Sequence, residues 1–211
     1  KRWQLKLNIT LFLSKEGSAI CQRHELGKIN QQIWASDFMS RWGYFVDTLY
    51  RTINSIIKVF SVETVAGDII FSSSDFWPDS FPALILKRRN PEIIWIAGFY
   101  LFAPKPWQKD SPYRGKNFLT GLLYWIGQLP TYYIIRRFAD IVFVTSQPDV
   151  DQFTTNIRSK EKVIVIRGGV DTVSAKHYLN SKNVIPPEKR TYDACFAGRF
   201  HYQKGVLELV K

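Results

Sequence analysis

The sequence predicts an α/β fold: a parallel sheet with helices on both faces. Three observations lead there. Short runs rich in apolar and β-branched residues recur along the chain, several without polar alternation, as expected of strands covered on both sides. Longer stretches with helical periodicity separate them, the pattern of repeated βαβ units. Hydrophobic residues make up 45% of the 211 and aromatic residues 15%, enough for a packed core.

The runs come in order. Leu7–Leu13 reads as the first strand and Gln31–Ala35 as a further short one. Phe38–Phe60 carries a helical period, and Asp68–Ser72 is again strand-like. A helix is predicted over Pro78–Arg89, with proline in its first turn. Ile93–Ala97 follows as a strand, then Phe118–Phe138 as a helix, Asp140–Thr145 as a strand and Pro148–Ile157 as a helix. Val163–Arg167 closes the series. Val173–Arg190 is polar, holds Pro186-Pro187 and shows no clear period, so it reads as a linker. A new strand, Tyr192–Ala197, precedes a helix beginning at Lys204. The expected division is therefore a first domain over 1–172, a linker over 173–190 and the start of a second domain over 191–211. The chain opens on Lys1-Arg2-Trp3 and ends in a helical pattern, which suggests a fragment lacking both ends. The longest apolar stretch, Phe118–Ile135, is interrupted by Gly121, Gly127, Gln128 and Pro130. A spanning helix needs about 20 mostly apolar residues, so this stretch reads as a buried or membrane-surface helix.

The net charge of +11 favours polyanionic or phosphate-bearing partners without choosing among them. Cys21 and Cys195 form no paired pattern and fit a reducing, cytoplasmic setting. His24, His177 and His201 have no spacing that suggests a metal site, so no metal is expected.

Ligands of open parallel sheets bind beyond the carboxyl ends of the strands. Four such ends are polar or glycine-rich: Ser72-Ser73-Ser74-Asp75, Gly98-Phe99-Tyr100, Thr145-Ser146-Gln147 and Gly168-Gly169-Val170-Asp171. Two also read as helix caps: Ser74 or Asp75 before Pro78, and Ser146 or Gln147 before Pro148. The fifth end, Gly198-Arg199-Phe200-His201-Tyr202-Gln203-Lys204-Gly205, says most. Its glycines allow close backbone approach, and the helix start offers free N–H groups to a phosphate. Arg199 adds a planar fork, Lys204 a point charge and His201 a further donor. Two cations at a helix start oppose its dipole, and an anion resolves that conflict. Neither a Walker A loop nor GxGxxG at a strand–helix turn is present.

These stretches resemble the group 1 (family 4) glycosyltransferases of GT-B architecture, built from two facing Rossmann-like domains. Asp68-Ile69-Ile70-Phe71-Ser72-Ser73-Ser74 looks like the family's D-v-i-h-s-h-s strand. Ala139 to Ser146 looks like A-D-x-v-x-v-x-S, Val163 to Asp171 like k-v-x-v-i-x-N-G-V-D, and Phe196 to Gly205 like f-x-G-R-x-x-x-x-K-G. The resemblance covers Asp68 to Lys211. It implies a hexosyltransferase-type enzyme, typically retaining, that takes a sugar from a UDP- or GDP-sugar without metal or cofactor. The donor diphosphate would be held by Arg199 and Lys204 between Gly198 and Gly205. The cleft would be lined by Ser73, Ser74, Asp75, Tyr100, Ser146, Gly168, Gly169, Asp171 and His201. Gly168 stands where the family usually has asparagine, and Tyr100 falls near a position where many members carry histidine. The family's catalytic acids would lie beyond Lys211, so the fragment alone is expected to be inactive.

Lys87, Arg88, Arg89, Lys105, Lys109, Arg114 and Lys116 are interleaved with Phe99, Tyr100, Phe102, Trp107 and Tyr113. Basic plus aromatic suits an anionic membrane face carrying a lipid-linked acceptor, at the inner side of the membrane. It suits single-stranded nucleic acid as well, although nucleic acid is the disfavoured partner, and it equally fits a solvated loop with its aromatics packed beneath it. A polysaccharide acceptor is equally compatible. The alternative to an enzyme is a non-catalytic Rossmann-like module that binds nucleotide or nucleic acid.

Overall fold

Among the described residues the strands pair only in parallel. The computed structural model describes residues 7–24, 26–167, 172–181 and 183–192. In order, the elements are β1 (Thr10–Ser14), α1 (Lys15–Arg23), β2 (Asn30–Ala35), α2 (Tyr44–Val59), β3 (Ile69–Ser72) and α3 (Trp77–Arg89). There follow β4 (Ile94–Gly98), α4 (Phe118–Phe138), β5 (Ile141–Val144), α5 (Gln147–Phe153), β6 (Val163–Val165) and α6 (Val173–Leu179). β1 pairs with β2, and β3-β4-β5-β6 form a four-stranded sheet in sequence order. This is the Rossmann-like α/β class that the alternation predicts.

Sequential order dictates where the helices go. Right-handed crossovers between successive neighbours place their helices on one face of the sheet. Accordingly Trp95, Ala97, Val142, Val144 and Val163 point the same way and are buried. Ala83 of α3, Ile135 of α4, and Val150 and Phe153 of α5 cover them in one cluster. A second cluster joins Trp34 of β2, Val59 of α2, Leu86 of α3 and Ile93. On the opposite face of the sheet Ile69, Phe71, Ile94 and Ile164 are exposed, so among the described residues helices cover one face of this sheet where both were expected.

Two compact units emerge. Residues up to Ala103 with Tyr124–Ile166 form the first; Pro104–Leu123 with residues from Arg167 onward form the second. In the second unit Tyr113 is buried against Gly121, where an added Cβ would stand 2.3 Å from the Tyr113 Cβ.

Several elements depart from the expected bounds for local reasons. The predicted helix Phe38–Phe60 is broken: a 3-10 segment, Asp37–Trp42, precedes Gly43 at φ +94°, and α2 starts only after it. α1 was hidden by its polar sequence and Gly17. It starts because the Ser14 hydroxyl accepts from the Gly17 N–H at 3.1 Å. The linker segment contains a two-turn helix, α6, with the Ile185 N–H donating to the Tyr178 hydroxyl at 3.1 Å. Among the described residues no helix is long and apolar enough to cross a membrane. The strand predicted over Tyr192–Ala197 and the helix from Lys204 lie outside the described residues, apart from Tyr192.

Candidate functional site

The carboxyl edge of β3, β4 and β5 gathers three of the predicted strand ends. After β3 the chain runs through Ser73, Ser74 and Asp75 into α3. The hydroxyls of Ser73 and Ser74 both donate to Asp79 Oδ2, at 3.1 and 2.6 Å. Ser74 Oγ also accepts the Phe76 N–H at 3.2 Å. Neither Ser74 nor Asp75 is the helix cap, which falls to Phe76 without a side-chain bond. The serines instead serve a carboxylate one turn into α3.

Asp75 faces a different partner. Its Oδ2 accepts from Gln128 Nε2 of α4 at 2.7 Å. The same amide nitrogen donates to the Leu101 carbonyl at 2.7 Å, and Gln128 Oε1 accepts the Ala103 N–H at 2.7 Å. One buried side chain thereby ties the loop after β3 to the loop after β4.

After β4, Gly98 makes a close approach possible. A Cβ there would lie 2.6 Å from the Tyr100 hydroxyl oxygen and 2.9 Å from the Ser73 carbonyl. Tyr100 therefore folds back over Gly98, beside the serine loop. Its own carbonyl accepts the Thr145 hydroxyl at 2.7 Å, which joins the ends of β4 and β5. Ser146 occupies the cap position of α5, but its hydroxyl donates to Asp149 at 2.6 Å and accepts no backbone N–H.

The acids of this edge are perturbed. Burial pushes both the Asp79 and the Asp75 carboxyls above the ordinary carboxylate range, against the hydrogen bonds that pull them down. Burial also raises the Tyr100 phenol. The Tyr124 phenol is raised by burial and then by the negative charges of Asp75 and Tyr44. Asp79 lines a cleft of about 260 Å³ with Tyr44, Asp47, Thr48, Arg51, Phe76 and Pro78. Arg51 pairs there with Asp47 at 2.7 Å. Paired carboxyls with hydroxyls and tyrosines suit the binding of a polyhydroxylated ligand, accepting and donating hydrogen bonds at short range.

Ser73, Ser74, Asp75, Tyr100 and Ser146 thus meet at one edge, as the strand ends predict. Gly168, Gly169, Asp171, Gly198, Arg199, His201, Lys204 and Gly205 lie outside the described residues. Asp79, Gln128 and Tyr124 were missed by sequence reasoning. Only the position of Asp79 in the first helical turn was a usable signal. The basic, aromatic segment behaves differently from its composition. Lys87 Nζ is held by Asp140 at 2.8 Å and by the Pro91 and Ile93 carbonyls, while Phe99 and Tyr113 are buried. Among the described residues no three His, Cys, Asp or Glu side chains stand together as a metal site.

No protein-family model matches the sequence, and neither a curated protein nor a solved structure is detectably similar to it.

Proposed function

We propose that the chain is part of a GT-B glycosyltransferase that moves a sugar from a UDP- or GDP-sugar to a hydroxyl acceptor. The observation that carries this reading is the carboxyl edge. Ser73, Ser74, Asp75 and Asp79 beside Tyr100 offer carboxyl and hydroxyl groups of the kind that bind sugar hydroxyls. They stand where an open parallel sheet binds its ligand. The motifs from Asp68 to Gly205 supply the family, with Arg199 and Lys204 as the diphosphate ligands.

In the proposed reaction the bond between the anomeric carbon and the diphosphate oxygen breaks, and a bond from that carbon to the acceptor oxygen forms. The acceptor proton leaves with the departing diphosphate. Arg199, Lys204 and the helix start would stabilise the charge that builds on that leaving group, which favours the transition state over the ground state. The net charge of +11 favours the anionic donor as well. The free Cys21 thiol is compatible with a reducing compartment, and we place the reaction on the cytoplasmic side.

Calorimetric titration of the chain with UDP, GDP and their sugar conjugates tests the reading. One nucleotide should bind, and Arg199→Ala with Lys204→Ala should weaken it by about 100-fold, two charge-assisted contacts at about 1.5 kcal/mol each. Nucleotide binding that ignores both substitutions would sink the assignment. So would binding of single-stranded RNA, with a steep salt dependence, in place of any nucleotide sugar. That second result would leave the non-catalytic binding module.

A further inference from the structure

α2 is inside out. Its buried residues are Thr52, Ser55 and Val59, while Phe45, Leu49, Ile53, Ile57 and Phe60 are exposed. Ile57 retains 64% of its surface and Phe60 61%. An ordinary surface helix presents its apolar stripe to the core and its polar side to water. Here the inward side is Val59 with two small hydroxyl residues, Thr52 and Ser55. Their polar atoms are satisfied within the helix: Thr52 Oγ1 donates to the Thr48 carbonyl at 2.7 Å and Ser55 Oγ to the Thr52 carbonyl at 2.9 Å. That leaves α2 free to pack on α3 with its short side and to turn its bulk outward.

The exposed stripe recurs at spacings of three and four residues over the whole helix, so it forms one continuous patch rather than scattered exposures. Its ends are marked. Trp42 and Tyr44, both exposed, stand at the amino end, with the Arg41 guanidinium 5.9 Å from the Trp42 ring centroid. At the carboxyl end the Arg89 guanidinium lies 5.8 Å from the Phe60 ring centroid, and the exposed Lys58 donates its ammonium to the Ile33 carbonyl at 2.8 Å. The acid of α2, Asp47, is paired with Arg51 at 2.7 Å.

We propose that α2 is an interfacial helix that docks this chain on an anionic lipid bilayer. Three features select that occupant. Leu49, Ile53 and Ile57 are aliphatic and offer nothing for a base to stack on or hydrogen-bond to, so the stripe is made for hydrocarbon. Tryptophan and tyrosine at one end and cations at both are the arrangement that seats at the headgroup level. A second copy would bring another +11 chain against the first, whereas anionic lipid is attracted to that charge. This surface lies on a different element from the basic segment Lys87–Lys116. The inference does not rest on the glycosyltransferase reading.

Co-sedimentation of the full chain with vesicles tests it. Vesicles of equal phosphatidylcholine and phosphatidylglycerol should bind the chain at least tenfold more tightly than phosphatidylcholine alone. Ile53→Asp with Ile57→Asp should lower binding to the anionic vesicles by tenfold or more. The uncharged pair Ile53→Gln with Ile57→Gln should lower it in the same direction. Both positions are exposed, so circular dichroism should show an unchanged fold. Unaltered binding by the double variants would overturn the proposal, as would no binding to either vesicle. A concentration-dependent dimer in light scattering that the aspartates dissolve would assign the stripe to a second copy. RNA binding lost with the same substitutions, without vesicle binding, would assign it to nucleic acid.

Discussion

The two ends of the four-stranded sheet handle buried charge in opposite ways. At the amino end sits Arg158, 1% exposed. Its Nε donates to the Ala139 carbonyl at 3.0 Å and its Nη1 to the Phe153 carbonyl at 3.0 Å. Its Nη2 donates to Ile135 at 2.8 Å, to Arg136 at 3.1 Å and also to Ala139. These carbonyls close the carboxyl ends of α4 and α5, which carry the negative pole of their helices. Burial pushes the guanidinium down to about 10, so it stays charged at neutral pH. At the carboxyl end, Asp75 and Asp79 receive only hydroxyl and amide donors, and burial pushes them up. One buried charge is fully matched by helix dipoles; the other two are held with their acidity weakened. The matched charge is what a scaffold needs. The unmatched ones belong to the edge proposed above to meet the sugar.

The sharpest way to break that contrast is Arg158→Met. It should cost on the order of 3–5 kcal/mol in urea unfolding, because several buried carbonyls lose their donor together. Arg158→Lys should recover only part, since an ammonium cannot span carbonyls on two helices. An unchanged midpoint for the methionine variant would mean that water already serves those carbonyls.

Gly98→Ala should cost about 2–3 kcal/mol, the upper part of the usual range for overpacking. The clash has two parts, the Tyr100 ring and the Ser73 carbonyl. Tyr100→Ala in the same chain should relieve the first and leave the second, because a backbone oxygen cannot move aside. Full rescue would show that the serine loop is soft.

Gln128→Ala should cost about 1–3 kcal/mol, the range for leaving buried partners unpaired. Gln128→Glu should be worse at neutral pH, setting a carboxylate against Asp75 and the Leu101 carbonyl. It should recover as the pH falls and that carboxylate takes up a proton.

The smallest effect is expected from Asp79→Asn, under about 1 kcal/mol and stabilising at neutral pH. A carboxyl whose folded pKa is raised binds its proton more tightly in the folded state. Its favourable contribution is complete below the unfolded pKa and is lost as the pH rises through the folded value. The variant should therefore gain most above the wild-type folded pKa, and its advantage should vanish in acid. Thermal melts across that range decide the sign. A constant difference at every pH would mean that Asp79 is not buried as an acid in solution.

Much of the scaffold could be read from the residues. α4 spans Phe118–Phe138 as its long apolar stretch predicts, β3 and β5 fall within the apolar runs, and β4 runs one residue past its own, to Gly98. Local signals suffice there, since a short apolar run and a long apolar helix both declare themselves in a short window. The failures are also local in origin. Gly43 at positive φ split a periodic stretch, and α1 is too polar, with Gly17 inside it, to stand out as an element. The site was legible only as strand ends. Ser73, Asp75 and Tyr100 were singled out because topology places ligands at strand ends, but Asp75 meets Gln128 across 53 residues. No short-range pattern encodes that meeting. The outward face of α2 was equally hidden. Its moment announces an amphipathic helix, but only packing reveals which side faces water.

Gln128 has a kinetic meaning beyond its hydrogen bonds. Two donors point at acceptors and one acceptor at a donor, so turning the amide over would oppose like poles at every contact. The side chain has one workable orientation, and breaking it frees both loops at once. Opening of the serine loop should therefore be a single concerted event with opening of the Leu101–Ala103 segment. The amide protons of the two should exchange with solvent at a common rate, as two doors hung on one hinge pin swing together.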